Sequence, residues 1–265
     1  MKERREIAMK KSTRILLAIV LCLVLIAISV PKFFSFSSYQ YDHAARYTAG
    51  GCEIDQQVEN IDVSWIDGKV KVERHGGDEI ILSETANRKM RTAEQVHWLL
   101  DGDTLYVKYM RAGKNSTFWL DKELTLLLPE NMKLEDVRIS GVSAELEAEL
   151  PAAETVTVDS VSGTVDVTMQ KTEKARVDTV SGDVTICFAN VPASIDADAV
   201  SGDLTVQLPE DAGFTAKLDS VSGRISGELL EGVTDVKKEF VRGNGACSIS
   251  MDSVSGALQM DAYTR

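Results

Sequence analysis

A short sequence returns about every twenty residues in the second half of this chain. It reads VDSVSG at 158–163, VDTVSG at 177–182, ADAVSG at 197–202, LDSVSG at 218–223 and MDSVSG at 251–256, with a weaker copy, ISGVSA, at 139–144. The last residues of successive copies are 19, 19, 20, 21 and 33 positions apart. Self-similarity at a fixed period is typical of repeat architectures. The units are too short for pairs of helices, and their Val, Thr and Ile residues favour β-strands.

Within one unit, the alternation of apolar and polar residues identifies two strands. Val156 and Val158 share one face of an extended chain, and Val165, Val167 and Met169 share one face of the next strand. The two sets have opposite parity, so the chain must break phase between them, at the turn-forming residues 159–163. A strand, a corner and a second strand in each unit predict an all-β fold. The predicted fold class is a β-solenoid (β-helix-like) of about 20-residue coils, whose inward side chains stack in columns.

The beginning of the chain predicts a membrane segment. Residues 1–14 hold six Lys/Arg and two Glu, and residues 15–30 are apolar except for Ser29. Counted over 15–34, a helix would be about 30 Å long, which matches the hydrocarbon thickness of a bilayer. The basic flank predicts a cytoplasmic segment at 1–14, a transmembrane anchor at 15–34 and an extracytoplasmic remainder of a single-pass membrane protein. A cleaved signal peptide is the alternative, because Ala27-Ile28-Ser29 is similar to a cleavage site, and the protein would then be secreted.

The charge distribution agrees with export and bears on partners. The whole chain carries −12, and residues 1–32 hold seven Lys/Arg and two Glu, so the remainder carries −17. A domain this acidic repels nucleic acid and anionic lipid surfaces, so we expect no nucleic-acid partner. It attracts cations, including cationic peptides.

The exported part divides into three regions by composition. Residues 35–55 are polar and poorly periodic, which predicts a linker. Residues 56–130 predict a divergent N-terminal β coil and cap, since 61–72 fits the repeat with Ile66-Asp67-Gly68 at the corner, and 101–103 is a hairpin turn signal. Residues 131–265 are the regular solenoid repeats.

An ordered set of motifs resembles a known family. The motifs are LTLLLP at 124–129, VRISG at 137–141 and then the VSG units, with IDVSWIDGKVKV at 61–72 and GNGACSISMDSVSG at 243–256. They are similar to the bacterial "putative adhesin" β-strand-repeat family, domain of unknown function 4097 (DUF4097), over about residues 55–262. The resemblance implies a solenoid-like all-β protein of the bacterial envelope with one N-terminal transmembrane segment. It carries over no catalytic residue and no cofactor.

One acidic residue occupies the same position in every full copy of the repeat: Asp159, Asp178, Asp198, Asp219 and Asp252. In adjacent coils about 4.8 Å apart, such carboxylates repel one another by about 1 kcal/mol in water, and by more where screening is poor. One hypothesis is that each Asp accepts backbone N–H bonds within its own corner. The other is that the column binds Ca²⁺ or another cation through carboxylate oxygens.

The other chemically active residues suggest no reaction. The repeated serines predict a hydroxyl ladder at the corner: Ser162, Ser181, Ser201, Ser222 and Ser255. The three histidines, His43, His75 and His97, lie outside the regular array, so no catalytic triad is visible and we expect no enzyme.

Aromatic and sulfur residues leave alternatives open. Trp65, Trp98 and Trp119 are interpreted as packing of the cap, with an aromatic platform for wall sugars or a partner as the alternative. Cys187 has the outward phase and Cys247 the inward one, and with Cys52 they make an odd number, so a bridge between Cys187 and Cys247 is not favoured.

The function expected from the sequence is non-enzymatic. The chain is predicted to be a membrane-anchored structural or interaction (adhesin-like) module of the bacterial cell envelope, binding an envelope polymer or another envelope protein. A second hypothesis is a regulatory or sensory partner of an envelope-stress system. A third, a carbohydrate-active β-helix enzyme, requires acids that converge outside the repeat template, whereas the acids visible in the sequence are template acids.

Overall fold

The computed structural model describes residues 39–114, 120–233 and 236–264, and these residues form an all-β structure. Two short 3-10 helices interrupt it, at Ala44–Arg46 and Glu228–Leu230. The strands are β1 (Thr48–Ala49), β2 (Cys52–Ile54), β3 (Asn60–His75), β4 (Ile80–Ala86), β5 (His97–Asp101), β6 (Thr104–Lys108), β7 (Lys122–Pro129), β8 (Lys133–Ser162), β9 (Val165–Ser181), β10 (Val184–Phe188), β11 (Ser194–Ser201), β12 (Leu204–Leu208), β13 (Phe214–Ser220), β14 (Ile225–Ser226), β15 (Glu239–Arg242), β16 (Cys247–Ser253) and β17 (Leu258–Ala262).

Equivalent strands of neighbouring coils pair in parallel, with the repeat template in register. Before the corner, Val158 pairs with Val177; after the corner, Val165 pairs with Val184, and Val184 pairs with Leu204. The predicted inward residues are buried, including Val156, Val158, Val165, Val167 and Met169. Each such side chain contributes about 1.5–3 kcal/mol on burial. The prediction of stacked two-strand coils with a continuous apolar interior is therefore confirmed.

At two corners, Gly182 and Gly202, glycine is required by the distance between coils as well as by the backbone angle. Gly182 has φ of +156°, and a Cβ added there would collide with the carbonyl oxygen of Gly163 in the preceding coil. Gly202 bears the same relationship to Gly182. A larger residue at either of these two positions would push adjacent coils apart, which explains the glycines there.

At the C-terminal end, the order of coils in space differs from their order in the chain. The simplest reading of the repeat is that coils stack in sequence order, but β16 lies between β11 and β13, and β17 lies between β12 and β14. The last coil is thus inserted one place before the end of the stack. The 33-residue step in the repeat contains two extra elements, the second 3-10 helix at Glu228–Leu230 and β15 at Glu239–Arg242, before the chain returns.

At the N-terminal end, too, the order of the coils in space differs from their order in the chain. The divergent coil, β3, pairs on one side with β6 and β7 and on the other side with β8, in parallel throughout. Its Gly68 lies in register with Ala144, as the predicted corner requires. Strands β6 and β7 form the outermost parallel coil. On their far side, β5 pairs antiparallel with β6 around the predicted hairpin turn, and β4 pairs antiparallel with β7. Antiparallel strands therefore flank the outermost parallel coil at this end.

The predicted transmembrane anchor at 15–34 and the cytoplasmic segment at 1–14 lie outside the described residues. In the part of the chain that the structure describes, no helix combines the length and apolar character that crossing a bilayer demands.

Candidate functional site

The repeated acids form a continuous column on the outer surface of the first strands. Pairing places Asp159 beside Asp178, Asp178 beside Asp198, Asp198 beside Asp252, and Asp252 beside Asp219. We call these five residues the aspartate column. The inserted coil supplies Asp252, which therefore lies between Asp198 and Asp219. Adjacent members are separated by one strand spacing, about 4.8 Å.

Two arginines neutralise the first part of the aspartate column. Arg138 Nη2 lies 2.7 Å from a carboxylate oxygen of Asp159. Arg176 bridges two coils: its Nε lies 3.0 Å from Asp178, and its Nη2 lies 3.3 Å from Asp198. No described Lys or Arg side chain forms an ion pair with Asp252 or Asp219. The negative charge is therefore least compensated at the C-terminal end of the column.

The environment raises the pKa of three of these carboxyls. Burial raises the pKa of Asp159, although Arg138 opposes the effect. Burial and then the charge of Asp178 raise the pKa of Asp198. Burial and then the charge of Asp219 raise the pKa of Asp252. Partial loss of water, followed by repulsion between neighbouring carboxylates, thus outweighs the arginine at Asp159 and at Asp198.

The hydrogen bonds of the aspartate column differ from the expectation of backbone donors within each corner. Asp159 accepts a bond of 3.2 Å from Ser140 Oγ, and Asp178 and Asp198 accept theirs from Arg176. The acids that accept backbone N–H groups are those after the glycine. Asp183 accepts from the N–H of Asp203 at 3.1 Å, and Asp203 accepts from the N–H of Ala257 at 2.9 Å.

The carboxylates of the aspartate column are spread along the stack. Within 39–114, 120–233 and 236–264, no three or more His, Cys, Asp or Glu side chains converge as a bound metal ion would require. The carboxylates instead follow one another along the stack, each on a separate strand. The hypothesis of Ca²⁺ binding by Asp159, Asp178, Asp198, Asp219 and Asp252 stays a prediction.

Two of the corner serines bind backbone of the preceding coil. Ser162 Oγ donates to the carbonyl of Val142 at 3.1 Å, and Ser181 Oγ donates to the carbonyl of Val161 at 3.4 Å. At these two corners the predicted contact between hydroxyls is replaced by a hydroxyl-to-carbonyl bond, which is a structural role.

The cap contains a buried ion pair that the sequence interpretation missed. Lys122 Nζ lies 2.9 Å from Glu84 Oε2, and it donates to the carbonyls of Glu94 and Tyr109 at 2.7 and 2.6 Å. Its ammonium group also lies 4.9 Å from the centre of the Trp65 ring. Burial lowers the pKa of Lys122, and the charge of Glu84 opposes that effect.

A sequence signal for this ion pair was present. Lys122 falls on the inward phase of a strand whose alternate residues, Leu120, Leu124 and Leu126, are apolar. Glu84 likewise falls on the phase of Ile80 and Leu82. A charged residue on each of two inward faces predicts a buried pair when the two strands are neighbours, as β4 and β7 are.

The tryptophans that the structure describes pack in the cap. Trp65 is fully buried, with its ring centre 4.9 Å from that of Tyr109 in an edge-on arrangement. Trp98 is partly buried against the same core. Trp119, the third residue of the prediction, lies outside the described residues. Burial of Trp65 agrees with the packing interpretation rather than with an exposed platform.

The cysteines that the structure describes are free thiols. Cys187 is half-buried on the outward face, where its Sγ donates to Gln207 at 3.1 Å, and Cys247 is fully buried. The phases predicted from the sequence are confirmed. Burial raises the pKa of Cys247 to about 12.

Comparison with known protein families identifies the family to which the chain belongs. The sequence model of Toastrack DUF4097 matches residues 58–186 and again 130–260. This chain belongs to the Toastrack family. The resemblance seen in the VSG units is thereby confirmed over most of the residues described above.

Two solved structures align with this Toastrack protein. One is a "putative cell adhesion protein" from Clostridium sporogenes, with 12% identity, a TM-score of 0.45, and coverage of 82% of this chain and 100% of that one. The other is a "putative adhesin" from Bacteroides fragilis, with 11% identity, a TM-score of 0.40, and coverage of 80% and 97%. Among curated proteins, no match to this chain was found.

Proposed function

We propose that residues 35–265 act as a non-enzymatic structural or interaction module of the bacterial cell envelope, attached to the membrane by residues 15–34. The observation that supports this role is the aspartate column, which repeats one acidic group at each strand spacing along the stack. A repeating surface of this kind suits an extended partner, since each coil presents one carboxylate at the same position. The partner is an envelope polymer or another envelope protein, and it carries positive charge.

The C-terminal part of the aspartate column is the preferred contact. Asp252 and Asp219 are exposed, and their charge is not neutralised by an ion pair with a described side chain. The neighbouring column of VSG valines adds apolar surface there, because Val254 is half-buried and Val221 is 52% exposed. A partner with cationic and apolar groups side by side would be complementary to both columns.

Cross-linking in intact envelopes tests this proposal. The full chain is compared with a triple variant of the column, Asp198→Asn, Asp219→Asn and Asp252→Asn, and the captured material is identified. A control triple variant has the same change of charge at exposed sites on other coils: Glu130→Gln, Glu135→Gln and Glu154→Gln.

The outcomes separate the functions. Capture of a wall polymer, host ligand or envelope protein that is lost in the column variant and kept in the control supports the interaction module. Capture of a membrane kinase or regulator would instead support the hypothesis of a regulatory or sensory partner. Equal capture by all three proteins would contradict a role for the column.

A further inference from the structure

Two loops meet at the end of the solenoid where the chain enters from its N-terminal segment. Residues 87–96 join β4 to β5, and residues 109–114 follow β6. They are joined by a bond of 3.1 Å from the N–H of Arg111 to the carbonyl of Ala93. Tyr39 pairs with the second loop, donating its N–H to the carbonyl of Lys114 at 2.9 Å and accepting from the N–H of Gly113 at 2.7 Å. The entry point of the chain is therefore fixed to these loops.

These loops are basic although the exported part of the protein is acidic. Together they hold five Lys/Arg residues and one acidic residue, Glu94, so their net charge is +4. Glu94 is already bound by Arg88 at 3.0 Å and by Arg91 at 3.5 Å. Three exposed cations remain, Lys89, Arg111 and Lys114, and none of them forms an ion pair with a described residue. We call these three residues the basic surface.

The length of the linker limits how far the basic surface can lie from the membrane. If the transmembrane segment ends at Phe34, five residues lead to Tyr39, and a fully extended chain of that length spans at most about 17 Å. Lys114 is bonded to Tyr39, so it lies within a similar distance of the bilayer. Screening at physiological salt acts over about 8 Å, so a modest approach of the loops brings them within electrostatic reach of the lipid headgroups.

We propose that the basic surface binds anionic phospholipid headgroups of the bilayer that holds the anchor. This contact orients the solenoid with its N-terminal end against the membrane and the C-terminal end of the aspartate column directed away from it. The electrostatic argument has two parts: cations near an anionic surface are attracted, and the acidic remainder of the domain is repelled. The proposal rests on the membrane anchoring in the proposed function.

Hydrogen exchange of the full chain in lipid nanodiscs tests this inference. One set of nanodiscs contains phosphatidylcholine only, and the other contains about one-third phosphatidylglycerol, which is anionic. In the anionic discs we expect backbone exchange of 87–96 and 109–114 to slow by about fivefold or more, and high salt to abolish the difference. Peptides from the regular coils should exchange equally in both.

Charge reversal on matched sites identifies the contact. The test variant replaces the basic surface: Lys89→Glu, Arg111→Glu and Lys114→Glu. The control variant makes the same change of charge at exposed lysines elsewhere: Lys171→Glu, Lys174→Glu and Lys238→Glu. Protection in anionic discs should be lost in the test variant and kept in the control, with equal melting temperatures showing that both variants fold.

The failure of this inference is distinguishable from failure of the anchor. A chain that does not co-purify with nanodiscs would overturn the membrane anchoring, and the inference with it. A chain that co-purifies but exchanges equally in neutral and anionic discs would overturn the basic surface alone. Equal loss of protection in the test and control variants would also overturn it, because the effect would then follow net charge and not position.

Discussion

The ammonium group of Lys122 lies 2.9 Å from a carboxylate oxygen of Glu84, and both side chains are buried. Lys122 belongs to β7 of the outermost parallel coil, and Glu84 belongs to β4, which flanks that coil. Glu84 also accepts the N–H of Val96 at 2.7 Å. The ion pair therefore joins three segments of the cap at one point.

Replacing Lys122 by Met should destabilise the protein strongly. The change leaves the carboxylate of Glu84 buried without its cation, and breaking such a pair costs about 3–5 kcal/mol. Chemical denaturation monitored by circular dichroism measures the free energy of unfolding. The double variant Lys122→Met with Glu84→Gln should recover part of the loss, because no charge then remains buried. A single-variant loss below about 1 kcal/mol would contradict the role of the ion pair.

Replacing Gly182 by Ala should also destabilise the fold. The added Cβ would collide with the carbonyl of Gly163, and overpacking of this kind costs about 1–3 kcal/mol. The control is Gly76→Ala, since a Cβ at Gly76 meets no atom within 4 Å. Thermal melting compares the two variants. If both changes shift the melting temperature equally, close stacking at the corner is not what requires glycine.

Neutral substitutions of two acidic residues, Asp198 and Glu94, should have opposite effects on stability at neutral pH. For Asp198, burial and the charge of Asp178 hold the pKa above its usual range, so the ionised carboxylate destabilises the folded state at neutral pH. Asp198→Asn should therefore raise the melting temperature at pH about 7. This advantage should shrink as the pH falls through the raised folded-state pKa, and it should vanish below the unfolded-state pKa of about 4.

Glu94 provides the opposite case. Its bond from Arg88 and the N–H of Arg91 lower its pKa to about 2. The stability from its charge is present above the unfolded-state pKa and is lost as the pH falls through the folded-state value. Glu94→Gln should therefore lower the melting temperature at neutral pH, with the difference closing between about pH 4 and pH 2. Parallel pH profiles for Asp198→Asn and Glu94→Gln would contradict these assignments.

The interior of the solenoid was predictable because each unit repeats the same alternation. Val156 and Val158 had to share a face, and the opposite parity of Val165 required a corner between them. The outward phase of Cys187 followed from the same rule, and the structure agrees. These features depend only on local periodicity, which a single sequence displays directly.

The order of the coils was not predictable from the same information. Leu204, Leu258 and Ile225 occupy equivalent inward positions, so each of their coils fits beside any other with the same register. Only the long step between Gly223 and Gly256 indicated an irregularity. The partners of the aspartate column were also hidden, since Arg138 and Arg176 occur at template positions where other copies have different residues.

Insertion of the last coil, which places Asp252 between Asp198 and Asp219, is tested most directly by disulfide mapping in a variant that lacks the native cysteines. Thr205 pairs with Gln259, and Ser226 lies one strand further on. Paired residues about 4.8 Å apart are within the range for a disulfide, whereas residues two strands apart, at about 10 Å, are not. Oxidation should therefore cross-link Thr205→Cys with Gln259→Cys and leave Thr205→Cys with Ser226→Cys unlinked. The reverse result would show that the coils stack in sequence order and would contradict the inserted coil.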